Sequence, residues 1–153
     1  MTNPTMPEGR RAEILLIEDN LGDELLAMRA FKNSSVETIL SVATSAEEAW
    51  AMLNHHREHR FKRLPDLILL DLHLPKMSGK SLLMLIKEDA ELKHIPVIVM
   101  TSSEATADVR RCYDLHASAY IVKPADLDAF KDVVATIEAF YFTIARLPLP
   151  NAA

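Results

Sequence analysis

The segment LPDLILLDLHLPKMSG, residues 64–79, decides the fold of this chain. Its four consecutive apolar residues, 67–70, end at Asp71, and the turn-forming pair Leu74-Pro75 follows. A short apolar run bounded by turn signals is typical of a strand that is buried on both faces, and such strands belong to parallel sheets. In open α/β sheets, ligands bind at the carboxyl ends of the strands. The position of Asp71 therefore makes it a candidate site residue.

Length and composition favour a single globular domain. The chain has 153 residues, of which 49% are hydrophobic and 25% are charged, as is usual for one hydrophobic core. The net charge of -5 gives no general attraction to nucleic acid or to an anionic membrane. The lone cysteine, Cys112, excludes an internal disulfide, and no apolar stretch is long enough for a signal peptide or a membrane span. We expect a cytoplasmic protein that binds neither nucleic acid nor membrane.

Four other segments predict strands, and helical patterns separate them. The apolar run 14–17 is similar to 67–70, whereas residues 36–42 show the two-residue period of an edge strand. The runs 97–100 and 119–122 complete the set. Each strand is followed by a pattern typical of a helix, and right-handed crossovers place helices on both faces of a parallel sheet. We predict a doubly wound, flavodoxin-like α/β fold with five helices and five parallel strands in the order 2-1-3-4-5.

Polar side chains follow the interior strands of this predicted sheet. They are Glu18 and Asp19 after the first strand, Asp71 after the third, Thr101 after the fourth and Lys123 after the fifth. Parallel strands end on one side, so these groups should converge. Three carboxylates repel one another unless a cation holds them, and oxygen ligands suit Mg²⁺. A carboxylate beside Mg²⁺ can attack phosphorus while a lysine neutralises charge on the transferring group. We predict Asp71 as the nucleophile, with Thr101 and Lys123 contacting phosphoryl oxygens.

In this order and at these strand ends, the residues resemble a receiver domain of a two-component response regulator. The resemblance extends from about residue 12 to about residue 137. Four pieces carry it: Glu18-Asp19, LLDLHLP around Asp71, VIVMTSS with Thr101, and YIVKP with Lys123. It implies a signalling phosphoacceptor that assists its own phosphorylation and dephosphorylation, rather than an enzyme with a separate substrate.

The resemblance also implies roles for individual residues. A sensor histidine kinase would phosphorylate Asp71, and Mg²⁺ would be held by Asp19, Asp71 and the backbone carbonyl of His73, with Glu18 acting through a metal-bound water. Tyr120 falls at the family's switch aromatic, which changes rotamer as Thr101 moves toward the phosphate. In the alternative interpretation, Thr101 caps the following helix and Tyr120 only packs.

Other segments are similar to the single-domain regulators paired with bacterial phytochromes. These are EDNLGDELL (18–26), DLHLPKMSGKSLL (71–83) and an aromatic-rich last helix that ends in LPLP (147–150). The similarity implies a bacteriophytochrome as the kinase. Since little more than one helical turn follows the receiver, the output is expected to be a phosphorylation-dependent interaction with another protein.

Two alternative functions remain, and the chain departs from the family pattern at two places: Glu18 stands where many receivers have Asp, and a glycine is missing before the last strand. A Mg²⁺-dependent phosphatase with an aspartyl intermediate would carry an Asp-x-Asp-x-Thr motif, but His73 stands at its second acidic position. A receiver-like adaptor without phosphorylation is disfavoured by the intact Asp71, Thr101 and Lys123. The family's usual glycine before the last strand is replaced by His116-Ala117, so His116 would have to adopt the left-handed conformation to cap the preceding helix.

We divide the chain into a mobile N-terminal tail (1–11), the receiver domain (12–139) and an extension of the last helix with a C-terminal tail (140–153).

Apolar residues at steps of three and four predict one continuous helix from Asp126 to Arg146, about 30 Å long. This apolar stripe comprises Leu127, Phe130, Val134, Ile137, Tyr141 and Ile144. Residues 140–142, all aromatic, cannot all be buried on one domain. We therefore predict a homodimer through helix four, strand five and helix five, with the tail to Pro150 packing across. The alternative is a tail folded back on its own domain.

Overall fold

The structure is a computed structural model that describes residues 11–58 and 63–148, with the side chains of residues 56–58 outside the description. The predicted mobile tail therefore lies outside the described residues except for Arg11, whose guanidinium pairs with Glu37 at 3.3 Å. Residues 149–153, including Pro150, also lie outside them. No helix in these two ranges is long and apolar enough to cross a bilayer.

Five parallel strands form one sheet in the order β2-β1-β3-β4-β5, which confirms the predicted topology. The strands are β1 (Ala12–Ile17), β2 (Thr38–Ala43), β3 (Leu67–Leu70), β4 (Val97–Thr101) and β5 (Ala119–Val122). The helices between and after them are α1 (Leu21–Lys32), α2 (Ala46–Glu58), α3 (Gly79–Glu88), α4 (Thr106–Asp114) and α5 (Leu127–Ala139). A single 3₁₀ turn, Leu92–His94, precedes β4.

The central strand β3 contributes to hydrophobic cores on both faces of the sheet. Leu67 and Leu69 pack with α1 and α5, whereas Ile68 and Leu70 pack with α2, α3 and α4. All four side chains are fully buried, because successive side chains of a strand point to opposite faces and helices cover both. This arrangement explains the unbroken apolar run and places Asp71 at the centre of the carboxyl edge.

The end of α4 shows how the chain manages without the family's usual glycine. His116 has a φ of 69°, in the left-handed region. Its N–H donates to the carbonyl of Tyr113 at 2.9 Å, and the N–H of Ala117 donates to that of Cys112 at 3.0 Å. This pair of hydrogen bonds is the Schellman pattern. The structure confirms that His116 can cap the helix in the left-handed conformation.

The prediction of one continuous last helix over residues 126–146 is wrong. The α-helix α5 ends at Ala139, and Phe140–Ile144 form a π turn closed by a hydrogen bond from the N–H of Ala145 to the carbonyl of Phe140 at 2.7 Å. A π turn carries more residues per turn than an α-helix, so it shifts the following side chains around the helix axis. The apolar stripe therefore does not continue in a straight line past α5.

The π turn determines which aromatic side chains reach the core. Phe142 is fully buried in the cluster formed with α1 and α5, and Tyr141 and Leu147 pack partly against that cluster. Phe140 and Ile144 stay 52% and 70% exposed. Part of the segment thus folds back on its own domain, as the alternative interpretation stated, and less apolar surface is left uncovered than the sequence predicted.

Candidate functional site

The carboxyl edge of the sheet brings together the polar residues predicted from the sequence. Backbone hydrogen bonds between neighbouring strands set their positions. The N–H of Asp71 donates to the carbonyl of Ile17 at 3.1 Å, and the N–H of Lys123 donates to that of Thr101 at 2.9 Å. The ends of β1, β3 and β4 carry three buried polar residues, Glu18, Asp71 and Thr101, and Lys123 lies beside Glu18 and Asp71.

Lys123 is the central cation of the site. Its Nζ lies 2.8 Å from Oε2 of Glu18, 2.9 Å from Oδ2 of Asp71 and 2.7 Å from Oδ2 of Asp23. The lysine side chain is only 16% exposed, so solvent screens these contacts incompletely. One ammonium group therefore holds three carboxylates, two of them buried.

This arrangement shifts the pKa of Glu18, of Asp71 and of Lys123 itself. Burial raises the pKa of Glu18 to about 7, and the hydrogen bonds from Lys123 and from the N–H of Asn20 offset this only in part. Burial also acts to raise the pKa of Asp71, but the hydrogen bonds from Lys123 and from the N–H of His73 outweigh it and lower that pKa. Burial acts to lower the pKa of Lys123, and its bonds to Asp23, Glu18 and Asp71 reverse this and raise the pKa. Asp71 is therefore an anion and Lys123 a cation at neutral pH.

An acidic cluster beside Lys123 suits a divalent cation. Glu18, Asp19 and Asp71 each offer a carboxylate oxygen, and these oxygens lie within 4.8 Å of one another. Asp19 is exposed, whereas the other two are buried. Burial is the largest cause of the raised pKa of Glu18, and oxygen donors alone favour a hard cation. The N–H of His73 donates to Oδ1 of Asp71 at 3.1 Å; the ligand role of the His73 carbonyl stays a prediction.

The Thr101 hydroxyl lies next to Asp71 and has no hydrogen-bond partner within residues 11–58 and 63–148. Its Oγ1 is buried and, among the described residues, makes no hydrogen bond within ordinary distance and angle limits, yet it lies near enough to Asp71 to help lower that pKa. The alternative that Thr101 caps the following helix is wrong, since α4 begins after Ala105 and has no side-chain cap. An unsatisfied buried hydroxyl costs about 1–3 kcal/mol, which a ligand oxygen would relieve.

Tyr120, the predicted switch aromatic, lies on β5, where it is paired with Val99 of β4. Its hydroxyl donates to the carbonyl of Ser103 at 2.9 Å, and its backbone N–H donates to the hydroxyl of Tyr113 at 3.2 Å. The first of these bonds connects the side chain to the loop that follows Thr101. Tyr120 thus makes a specific contact in addition to packing, although its role as a switch stays a prediction.

Two residues of the site escaped the sequence analysis. Asp23, in the first turn of α1, is the third carboxylate on Lys123; its signal was an acidic residue four positions after Asp19. Gly79 begins α3, and a Cβ there would lie 2.3 Å from the carbonyl oxygen of Asp71. Its signal was a glycine at the end of the segment 64–79. Only glycine lets α3 approach this closely.

The doubly wound fold with an aspartate, a lysine and an acidic cluster at one sheet edge is the arrangement expected of a receiver-type signalling domain. Residues 14–135 match the family model of the response regulator receiver domain, and the chain belongs to this family. Members of the family are signalling proteins of two-component systems, and membership implies a histidine kinase as the partner.

Comparison with individual proteins shows which response regulators the chain resembles. The chain is 37% identical over 135 residues to the response regulator Rcp1 of Synechocystis sp., covering 88% of this chain and 92% of Rcp1. It is also similar to the solved structure of the phosphorylated cyanobacterial phytochrome response regulator RcpA, with 40% identity, a TM-score of 0.84 and coverage of 91% and 99% of the two chains. The Mn²⁺-bound form of Rcp1 matches with 36% identity, a TM-score of 0.80 and coverage of 90% and 99%. The chain is a response regulator that resembles Rcp1 and the phytochrome response regulator RcpA.

Proposed function

We propose that a histidine kinase transfers a phosphoryl group to Asp71 of this protein. The observation that carries the proposal is the 2.9 Å contact between Oδ2 of Asp71 and Nζ of Lys123, next to the acidic cluster. Asp71 is held as an anion, and its carboxylate oxygen is the nucleophile that forms a bond to phosphorus as the bond from phosphorus to the kinase histidine breaks. Membership of the receiver family argues against the phosphatase alternative.

The residues around Asp71 stabilise different oxygens of the transferred phosphoryl group. Lys123 donates to one phosphoryl oxygen and the partnerless hydroxyl of Thr101 to another. Glu18, Asp19, Asp71 and the backbone carbonyl of His73 would hold Mg²⁺, with Glu18 acting through water. When bound, this ion would neutralise charge on the phosphoryl oxygens. The acidic cluster and its oxygen-only chemistry support the choice of Mg²⁺.

The output follows from movement of Thr101 and Tyr120. As the Thr101 hydroxyl turns to the phosphoryl group, the loop after β4 moves with it, and the bond from Tyr120 to the carbonyl of Ser103 has to re-form or break. Tyr120 would then change rotamer and alter the surface of α4 and β5. A protein partner that binds this surface would then bind the phosphorylated and unphosphorylated forms with different affinity.

A bacteriophytochrome is the kinase that the relatives favour. RcpA is a cyanobacterial phytochrome response regulator, and its similarity to this protein covers nearly the whole of both chains. We extend that pairing to this protein. Transfer should be faster from a bacteriophytochrome kinase than from an unrelated histidine kinase.

We propose further that residues 12–139 act as the receiver domain and that two copies associate through α4, β5 and α5. Four apolar side chains on these elements and the π turn remain exposed by 41–70%: Tyr113, Val122, Phe140 and Ile144. Burying them against a second copy would remove apolar surface from water. The folded-back part of the tail, with Phe142 buried, leaves Phe140 and Ile144 as the contribution of the tail to this interface.

Transfer from a phosphorylated kinase tests the function. Wild type should take up the label, and Asp71→Asn should not, because the amide cannot form an acyl phosphate. Asp114→Asn, an exposed aspartate on α4, is the matched control and should be labelled like wild type. Equal labelling of wild type and Asp71→Asn would reject the assignment, and no labelling of either would favour the adaptor alternative.

A further inference from the structure

We infer that Asp23 is a positioning residue that holds the ammonium group of Lys123 beside Asp71 while a cation and a phosphoryl group occupy the site. This inference rests on the proposed function of Asp71 and assigns a role to a residue outside the predicted site. Its starting point is the 2.7 Å contact between Oδ2 of Asp23 and Nζ of Lys123, which joins α1 to the loop after β5 across 100 positions of the chain.

The first turn of α1 leaves the Asp23 carboxylate free for this contact. Asn20 caps the helix, and its Oδ1 accepts a hydrogen bond from the N–H of Asp23 at 3.0 Å. In a capping box, the acidic residue three positions later would accept the N–H of the capping residue in return. Here the N–H of Asn20 donates instead to Oε1 of Glu18 at 3.1 Å. Glu18 thus takes the usual partner of Asp23, and the carboxylate of Asp23 reaches Lys123.

Asp23 differs from the other two partners of Lys123 in one respect. Glu18 and Asp71 belong both to the lysine's ion pairs and to the cluster that could hold a cation, whereas Asp23 belongs only to the ion pairs. A cation that draws on Glu18 and Asp71 weakens their hold on the lysine, because a carboxylate oxygen shared with a divalent ion is a poorer acceptor. Asp23 is then the partner that remains wholly available to Lys123.

Lys123 has to be held beside Asp71 because its flexible side chain could otherwise turn away from the site. A lysine has four rotatable side-chain bonds and loses considerable entropy when it is held in place. Asp23 stands on a helix whose first turn is fixed by the Asn20 cap, so its carboxylate is a rigid anchor. With this anchor, the ammonium group stays within reach of a phosphoryl oxygen on Asp71 throughout transfer.

Amine labelling of Lys123 tests the anchor without relying on activity. The full chain is treated briefly with an amine-reactive reagent, with and without Mg²⁺, and the labelled fraction of Lys123 is measured by peptide mass spectrometry. Wild type should stay protected in both conditions. In Asp23→Asn, Mg²⁺ should raise the labelling rate roughly fivefold, as expected for losing one partly exposed charge-assisted hydrogen bond. Glu24→Gln removes the same charge from the same turn and should behave like wild type.

A double-mutant cycle separates positioning from a general effect on the helix. Asp23→Asn should slow phosphoryl transfer at saturating Mg²⁺ by roughly fivefold, and Asp23→Glu should recover part of the rate. In a Lys123→Met background, Asp23→Asn should have no further effect, since the group that it positions is absent. Circular dichroism of each variant checks that α1 is retained.

The outcomes distinguish this inference from the proposed function. Equal lysine labelling and equal transfer rates in Asp23→Asn and Glu24→Gln would overturn the role of Asp23 while leaving phosphorylation of Asp71 intact. An additive effect of Asp23→Asn in the Lys123→Met background would also overturn it. Wild type that accepts no phosphoryl group at all would instead reject the proposed function, and the labelling result would still report on the anchor.

Discussion

The first residue of α3, Gly79, packs against the backbone of Asp71 so closely that a Cβ would lie 2.3 Å from the carbonyl oxygen of that aspartate and 2.7 Å from Cα of Leu72. The N–H of Gly79 also donates to the carbonyl of Leu72 at 3.1 Å. The loop that carries Asp71 is therefore held in place by the N-terminus of α3, and both obstructing groups are backbone atoms that cannot rotate away.

Gly79→Ala should accordingly destabilise the protein and slow its phosphorylation. The methyl group must displace backbone, so we expect a loss of about 2–4 kcal/mol in the free energy of unfolding, measured by urea denaturation. Gly22→Ala is the control, because its Cβ would meet only the Asn20 side chain at 3.2 Å and alanine favours a helix by up to about 1 kcal/mol. A Gly79→Ala protein as stable as wild type would contradict this packing argument.

The buried carboxyl group of Glu138 should make stability depend on pH. Burial raises its pKa from the ordinary 4.5, although the neighbouring Ser34 hydroxyl and the hydrogen bond from the N–H of Val36 oppose the shift. Because the folded-state pKa is the higher one, the contribution to stability is fully present below pH 4.5 and is lost as the pH rises through the folded-state pKa.

Glu138→Gln should remove this dependence. The amide oxygen can still accept the N–H of Val36, but the side chain can no longer ionise in the core, so the variant should gain stability relative to wild type at neutral pH and lose that advantage below pH 4.5. Thermal unfolding across this range makes the measurement, and the exposed Glu104→Gln corrects for net charge. A difference between variant and wild type that stays constant with pH would refute the assignment to Glu138.

Asp19 should be needed for divalent cation binding but not for folding. It is the exposed member of the acidic cluster, and its removal leaves a cation undercompensated. Asp19→Asn should weaken Mg²⁺ binding about tenfold or more in calorimetry, with unfolding changed by less than about 0.5 kcal/mol. Chelation of the metal should slow phosphoryl transfer to wild type. Unchanged Mg²⁺ affinity in Asp19→Asn would show that the cation binds elsewhere.

The two phenylalanines of the π turn should behave in opposite ways. Phe142→Ala empties a fully buried position and should cost about 3–5 kcal/mol of stability. Phe140→Ala should cost little, because that side chain is half exposed, but it should shift a dimer toward monomer in sedimentation at several concentrations. Comparable stability losses in both variants would contradict the burial of Phe142 and the exposure of Phe140 that the π turn produces. A wild type that is monomeric at ~100 μM would reject a dimer with a Kd near ~10 μM.

Much of the fold and site followed from the sequence because the underlying rules are local. The apolar run ending at Asp71 predicted a doubly buried strand, and parallel strands bring their carboxyl ends to one edge whatever the loops do. The convergence of Asp71, Thr101 and Lys123 needed no further information. His116 also adopts the left-handed conformation that was expected at the end of α4.

The errors and omissions concern features that spacing cannot encode. Ile144 continues a perfect helical stripe, yet it is exposed, while Phe142 lies off the stripe and is buried, because one π turn changes the period. The contact from Asp23 to Lys123 depends on Glu18 taking the N–H of Asn20, which is a competition between side chains in three dimensions. The closeness of Gly79 to Asp71 is likewise set by how α3 packs.

The central claim is that Asp71 carries the phosphoryl group, and direct mapping of the modified residue tests it most sharply. Wild type is phosphorylated with Mg²⁺ and acetyl phosphate, the acyl phosphate is reduced with borohydride, and peptide mass spectrometry locates the residue that has changed. We expect the modification at Asp71, within the peptide that spans residues 64–79, and none in Asp71→Asn. Reduction at Asp19 or Asp23 in wild type, with Asp71 unmodified, would contradict the account.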